Sequence, residues 1–398
     1  MAMFDGTEVD VLALGDADCI VVTQWTNSPG GVSYPFRILV DAGSGGDAGY
    51  VSDFLKSRGY DSFWAAVCTH PHKDHARGLV KLVQDRSISF AQGWMHDIRN
   101  HLGAETLRRA EARDDGVKEA VETTRELAAA FKGRGIMPKE PFSGATISHC
   151  ANMRVLGPTL SFYRETIEGF TGSDTLPEAS IFGLSALDFG AESTSLVPLS
   201  LLGRQSPLAL LPRVTAPPQN SLAYFLSLTG ALSDSSVKEK PSTQPFNNTS
   251  VILGISSNGG RLMLTGDAGS DALGSVSAEW NHLLYMGVPH HGSDGNLSQK
   301  DIERFCPAFA TISARGDASH PSRAIVSGLV KIGAKVASTH KSGNLWFCTG
   351  RVPHRPDYGP AELLKGTGEP TPVIDLLGLL GPTPAPVFDW TTLLPNTK

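Results

Sequence analysis

Three histidines and an aspartate fall within six positions, His70, His72, Asp74 and His75, in the stretch THPHKDHARGL. Along extended backbone, residues i and i+2 point to the same side. His70 and His72 can therefore hold one ion between them. Asp74 and His75 follow at the expected start of a helix, where they can reach a second ion nearby. Imidazole mixed with carboxylate suits Zn²⁺, with Mn²⁺ or iron as competitors. The chain has only twelve histidines in 398 residues. At that usage a chance H-x-H-x-D-H is expected in on the order of one chain in a thousand, so a solvated polar loop is the weaker reading.

Two further segments carry matching chemistry. LTGDAG sets Asp267 at the end of a strand, where a carboxylate can bridge two ions, and VPHHGSDGN sets His290 and His291 just after another strand. A lone aspartate there is usually a turn residue, and an exposed histidine pair is usually polar surface. Together with the first cluster they form a constellation, because all three lie at strand ends, where a rigid sheet presents functional loops. Asp41 closes a third strand in ILVDAG, and Asp16 in GDAD lies either at the edge of the site or in a plain turn.

The elements that must position these groups read as follows. Strands are expected at 9–14 and 19–25, joined by the GDAD turn, and at 36–43. A helix over 50–59 closed by Gly59 leads to a buried strand at 63–69. A second helix packs on the sheet from His75 onward, and 103–132 reads as one helix with Leu107, Ala110, Val117, Val121 and Leu127 on one face. Strands return at 153–158, 250–255, 261–269, 283–289, 309–314, 335–339 and 345–350, with a helix at 322–332 between two of them. The order suggests two β-rich halves. Residues 170–246 are rich in Ser, Leu, Pro and Gly and read as an insertion. Residues 356–398 form a Pro-, Gly- and Leu-rich tail that wraps the surface or docks a partner.

Composition bounds the function. The chain is 40% hydrophobic and 19% charged, with a net charge of −6, as in an ordinary globular protein with a large core. Mild acidity offers no global basic footprint for nucleic acid, although Lys73, Arg77, Arg99 and Arg315 could form a local one. The opening MAMFDGTEVD is acidic and lacks an apolar run, so no secretory leader is expected. No apolar stretch reaches the ~18 residues of a membrane span. Five cysteines without CxxC spacing suggest reduced, structural thiols in a cytoplasm.

The motifs as a set resemble the metallo-β-lactamase superfamily: H-x-H-x-D-H at 70–75, Asp41 in LVDAG, Asp267 in TGD, and a final histidine. Read in order, VLALGDADCIVV, ILVDAG, THPHKDHARGL, NNTSVIL, LMLTGDA, VPHHGSDGNLS and SHPS are similar to the hydrolase domain of ComEC-type competence proteins and their stand-alone soluble relatives. The resemblance covers residues 9–100 and about 247–350, leaving out 170–246 and the tail. It implies a four-layer αββα sandwich, here a hydrolase domain over 1–355 followed by the tail. It also implies Zn²⁺, one or two ions, with Mn²⁺ as the alternative. His70 and His72 would hold one ion, Asp74, His75 and the final histidine the other, and Asp267 would bridge. His291 fits the final ligand better than His290, because relatives place a single histidine just before a small residue. His290 would then face the substrate or support a ligand, and Asp41 would orient ligands from behind. Many dinuclear relatives carry another histidine where this chain reads NNTS. Asn248 stands there instead and would bind weakly or through water, leaving the first ion loose or absent. His96 and His149 are the other histidines that could substitute, although a hydrogen-bonded surface position is the better reading of each.

The chemistry implied is hydrolysis, with ions providing a water nucleophile at neutral pH that Asp74 helps to orient. His320 in SHPS is the expected proton donor to the leaving group, against a plain helix-capping histidine. The resemblance points to a phosphodiester substrate, a nucleic acid or cyclic nucleotide. A carbonyl hydrolase acting on a lactone, amide or thioester is the second reading. A metal-binding effector or interaction module, with 170–246 or the tail docking a protein partner, is the third.

Overall fold

The computed structural model describes residues 4–28, 31–148, 152–171, 237–239, 241, 243–317, 319–366 and 393–395. The 170–246 insertion and the tail beyond 366 therefore fall largely outside the described residues, as do His149 and Cys150.

Two seven-stranded sheets face each other. The first contains β1 (Thr7–Val11), β2 (Ile20–Asn27), β3 (Ser33–Val40), β4 (Ser62–Val67), β5 (Ser89–Trp94), β13 (Leu345–Thr349) and β14 (Leu393–Pro395), in the order β14-β13-β1-β2-β3-β4-β5. The second contains β6 (Thr146–Ser148), β7 (Met153–Gly157), β8 (Ile252–Ser257), β9 (Gly260–Leu264), β10 (Tyr285–Gly287), β11 (Phe309–Ile312) and β12 (Lys335–Ser338), in the order β12-β11-β10-β9-β8-β7-β6. Each sheet runs from antiparallel hairpins into parallel strands: β2–β3 is antiparallel and β3–β4–β5 parallel, while β8–β9 is antiparallel and β9–β10–β11–β12 parallel. The two β-rich halves of the sequence correspond to these sheets except that β13 and β14, which follow the strands of the second sheet in sequence, pair onto the first.

Strand alternation builds the layers. In β1, Val9 and Val11 join Val22, Ile38, Val40 and Val67 against Val155, Leu253, Leu262 and Leu264 of the second sheet. The other face of the first sheet, with Val21, Leu39 and Ala66, packs on helices α1 (Ala48–Ser57), α2 (Lys73–Gln84) and α4 (Asp115–Gly133). The outer face of the second sheet is covered by α7 (Ser270–Gly274), α8 (Gln299–Phe305) and α9 (Arg323–Lys331). The result is the expected αββα sandwich.

Several expectations are refined. The stretch 103–132 is two helices, α3 (Ala104–Arg113) and α4, because the Asp114 side chain accepts from Gly116 N and Val117 N and so caps a new helix. Strands β5 and β6 carried too little alternation to be read from sequence. Helix α5 (Leu160–Thr171) precedes the insertion, and a short turn, α6 (Pro245–Asn248), follows it. Part of the tail adds β14 to the edge of β13. No helix among the described residues is long and apolar enough to cross a membrane.

Candidate metal centre

The site is assembled by backbone stitching at the strand ends. Beyond β3, Ala42 N donates to His75 O at 3.0 Å and Gly43 N to Asp18 O at 2.8 Å, while Gly78 N of α2 donates to Gly43 O at 2.9 Å. Gly78 is obligatory for this approach: a Cβ there would lie 1.8 Å from Ala42 O. The opening loop is tied to the second sheet by Val251 N donating to Thr69 O at 2.9 Å, and the Asp267 loop to the histidine pair by His290 N donating to Gly266 O at 3.2 Å. Gly266 has φ +50°, and a Cβ there would press on Thr69.

Asp41 adopts φ 54°, a left-handed conformation rare for a residue with a Cβ. Its buried carboxylate accepts from Thr69 N at 2.8 Å, Thr69 Oγ1 at 2.6 Å and His75 Nδ1 at 2.8 Å. The last bond puts the His75 proton on Nδ1 and leaves Nε2 facing Asp267 Oδ1 at 3.4 Å and Asp74 Oδ2 at 3.9 Å. His291 is fixed in the same way: Nδ1 donates to Ser313 O at 3.0 Å, and Nε2 lies 3.8 Å from Asp74 Oδ2. On the other side, His70 Nε2 lies 3.5 Å from Asp267 Oδ2 and 3.0 Å from His72 Nδ1. The two oxygens of Asp267 thus face different sets of donors.

Buried polar atoms almost always have partners, yet His75 Nε2, His291 Nε2 and Asp267 Oδ1 make no hydrogen bond. His75 Nε2 lies 3.4 Å from Asp267 Oδ1, and His75 Nε2 and His291 Nε2 both face Asp74 Oδ2, at 3.9 and 3.8 Å. Among the described residues, His70–His75–Asp267, Asp74–His75–His291 and Asp18–Asp41–His75 each bring ligand atoms within 4.8 Å of one another. Histidine nitrogen with carboxylate oxygen is the donor set of Zn²⁺ or Mn²⁺, so the residues fit divalent cations.

Electrostatics agree. Burial would lower His75, but Asp267 and Asp41 outweigh it and hold its pKa well above the usual histidine range. Burial likewise opposes charge on His291, and Asp74 and Asp267 still push it up to about 9. Burial would raise Asp267 and Asp74, yet the histidines around them hold both below the ordinary carboxylate value. His70 and His72, by contrast, are lowered by burial, which keeps neutral imidazoles ready to donate lone pairs. The carboxylates thus draw positive charge into the cluster.

At the mouth, His320 Nδ1 lies 3.8 Å from Asp16 Oδ1, and its ring centre is 5.5 Å from that of His290 and 5.8 Å from that of His291. Asp16 also accepts from Arg315 N at 2.9 Å. Asn248 Oδ1 accepts from Gly269 N at 3.2 Å. Arg99 pairs with Asp97 at 2.6 Å, while Lys73 and Arg77 both face Glu119, so these three are occupied by local carboxylates. His96 is not a surface histidine; it is buried against Phe142 and Tyr163, with ring centres 4.7 and 4.6 Å away, and belongs to none of the three ligand groups.

Sequence reading passed over Asp18, which is buried with Oδ2 4.0 Å from His75 Nδ1. The signal was present in the same GDAD turn, but only one of its two aspartates was singled out. Asn296 and Ser313, which hold the two loop histidines, have no sequence signature.

No family model matches the chain, and no curated protein matches its sequence. Solved structures similar to it include a long form RNase Z from yeast, at 8% identity and a TM-score of 0.43, covering 87% of this chain and 42% of that one. Another is the hydrolase AbOPH in the beta lactamase superfamily, at 15% identity and a TM-score of 0.25, covering 39% of this chain and 66% of that one.

Proposed function

We propose that this chain is a metal-dependent hydrolase that cleaves a phosphodiester, in a nucleic acid or a nucleotide. The observation that carries the reading is the buried Asp267 carboxylate, which offers one oxygen to the His70 side and the other to His75, among donor atoms with no hydrogen-bond partner. His70, His72 and Asp267 would hold one ion; Asp74, His75, His291 and Asp267 would hold the other, Zn²⁺ by preference and Mn²⁺ as the alternative. Such ions lower the pKa of water and polarise a bond to oxygen. The chain's own residues prepare for this: Asp41 and Ser313 fix the His75 and His291 rings, and His320, braced by Asp16, is placed at the mouth to protonate the leaving oxygen. The phosphodiester class rests on the sequence resemblance to ComEC-type hydrolase domains and on the suitability of paired ions for phosphoryl chemistry. Cys19, Cys68 and Cys306 are free thiols, in keeping with a reducing compartment such as the cytoplasm.

The test is a panel with Zn²⁺- or Mn²⁺-loaded protein: single-stranded and duplex DNA, RNA, cyclic nucleotides and bis-p-nitrophenyl phosphate, beside a lactone, an amide and a thioester. Phosphodiester turnover lost in Asp267→Ala is the expected result. Turnover confined to the carbonyl compounds would overturn the substrate class, and turnover unchanged in Asp267→Ala would overturn the site. In His320→Gln, kcat should fall by roughly 10²-fold or more with metal content unchanged.

A further inference from the structure

The two sides of Asp267 are unequally furnished. The Oδ1 side has Asp74, His75 and His291 as well as the carboxylate oxygen. The Oδ2 side has His70 and, through it, His72, which makes three donors where Zn²⁺ takes at least four. Asn248 Oδ1 is turned to Gly269 N, from which it accepts at 3.2 Å.

His290 has the geometry to supply the fourth. Asn296 Nδ2 donates to the backbone oxygen of Asp267 at 2.6 Å, so the amide must present Oδ1 in the other direction. That oxygen lies 2.8 Å from His290 Nδ1, which must therefore carry the ring proton. His290 Nε2 then faces Asp267 Oδ2 at 3.8 Å, the same oxygen that lies 3.5 Å from His70 Nε2. This is the arrangement in which an outer hydrogen bond fixes the tautomer of a ligating histidine. The backbone supports it: His290 and His291 both adopt left-handed conformations rare for residues with a Cβ, at φ 46° and 55°. The result sends one ring to each side, His291 towards Asp74 and His290 towards Asp267 Oδ2.

We propose that His290 completes the first ion's ligand set with His70, His72 and Asp267, so that the two adjacent histidines serve one ion each. The inference rests on the two-ion reading above. It turns His290 from a substrate-facing group into a ligand, and makes Asn296 a positioning residue for it.

The experiment is metal binding by the full chain, with no assay of activity required. Stripped protein is titrated with Zn²⁺ against a chromophoric chelator, and stoichiometry is checked by elemental analysis. Wild type should take up two ions. His290→Ala and His290→Gln should weaken one of them at least about tenfold and leave the other unchanged; His291→Ala should weaken the other. Asn296→Ala, which keeps the ligand and frees its ring, should weaken the same ion as His290→Ala, by less, and gives an independent reading should the histidine variants fold poorly. Two ions held at wild-type affinity in His290→Ala, or in Asn296→Ala if the former is unfolded, would overturn the proposal while leaving the two-ion centre standing. A wild type that binds no ion would overturn the centre itself.

Discussion

At the scale of the residue, the proposed ligands depend on the side chains that hold them. Asp41 reaches His75 through Nδ1 and is itself locked by two bonds from Thr69. Asp41→Asn keeps the shape but can present an NH₂ where an acceptor is needed. Metal affinity should fall by about 10- to 100-fold, read by chelator competition, with the melting temperature of the metal-free protein little changed. His96 offers a separate measurement. Burial, reinforced by His101, holds its pKa down at about 3, so it is neutral in the fold and titrates near its ordinary ~6.5 when unfolded. A depressed histidine contributes stability that is present above pH ~6.5 and is lost as pH falls towards the folded value. Between pH 7.5 and 4.5 the wild type should lose about 3 kcal/mol more than His96→Gln. Equal losses of unfolding free energy in wild type and His96→Gln, measured by denaturant titration at the two pH values, would refute a buried neutral His96.

At the scale of the element, α2 is the part that must not move. It begins at the ligand loop, with Asp74 in its first turn and His75 behind it, and it touches the end of β3 through Gly78. In Gly78→Ala the new Cβ meets Ala42 O at 1.8 Å. Backbone cannot yield as a flexible side chain would, so the helix must shift. Stability should drop by about 1–3 kcal/mol or more, and metal affinity should drop with it, because His75 moves away from Asp267. Gly49 in α1 is the control: a Cβ there meets nothing within 4 Å, and Gly49→Ala should gain up to about 1 kcal/mol with metal binding unchanged. Chemical denaturation of both variants tests the contrast.

At the scale of the whole molecule, the chain ends are brought together on the first sheet. Glu8 of β1, fully buried, accepts from Trp25 Nε1 at 2.6 Å, Trp346 Nε1 at 3.1 Å and Arg355 Nε at 2.8 Å. Asp10, two residues along the same face, accepts from Tyr358 at 2.8 Å. Residues 351–358 therefore cover this stretch of the sheet with polar partners. Removing one member of a buried pair leaves a charge uncompensated. Arg355→Ala should cost about 3 kcal/mol, seen as a lowered denaturation midpoint, while metal binding is unchanged because none of these groups belongs to the candidate ligand clusters.

The sequence by itself determined the ingredients: which side chains could bind ions, that they fall at strand ends, and that two β-rich halves carry them. Those are local facts, set by the two-residue period of a strand and by composition within a few positions. The αββα layering was implied by the resemblance of the motifs, and alternation such as Val9 and Val11 against Glu8 and Asp10 is how the folded sheet realises it. Only the tertiary structure decided how the donors divide. The Asp267 oxygens face apart because one loop from each sheet meets there, and His290 parts from His291 because Asn296 and Ser313 hold them from opposite sides. Asp18, β5 and the burial of His96 escaped notice for the same reason. Each is defined by neighbours distant in the chain, and the physics that selects among alternatives, such as desolvation and the pairing of buried polar atoms, acts only once those neighbours are packed.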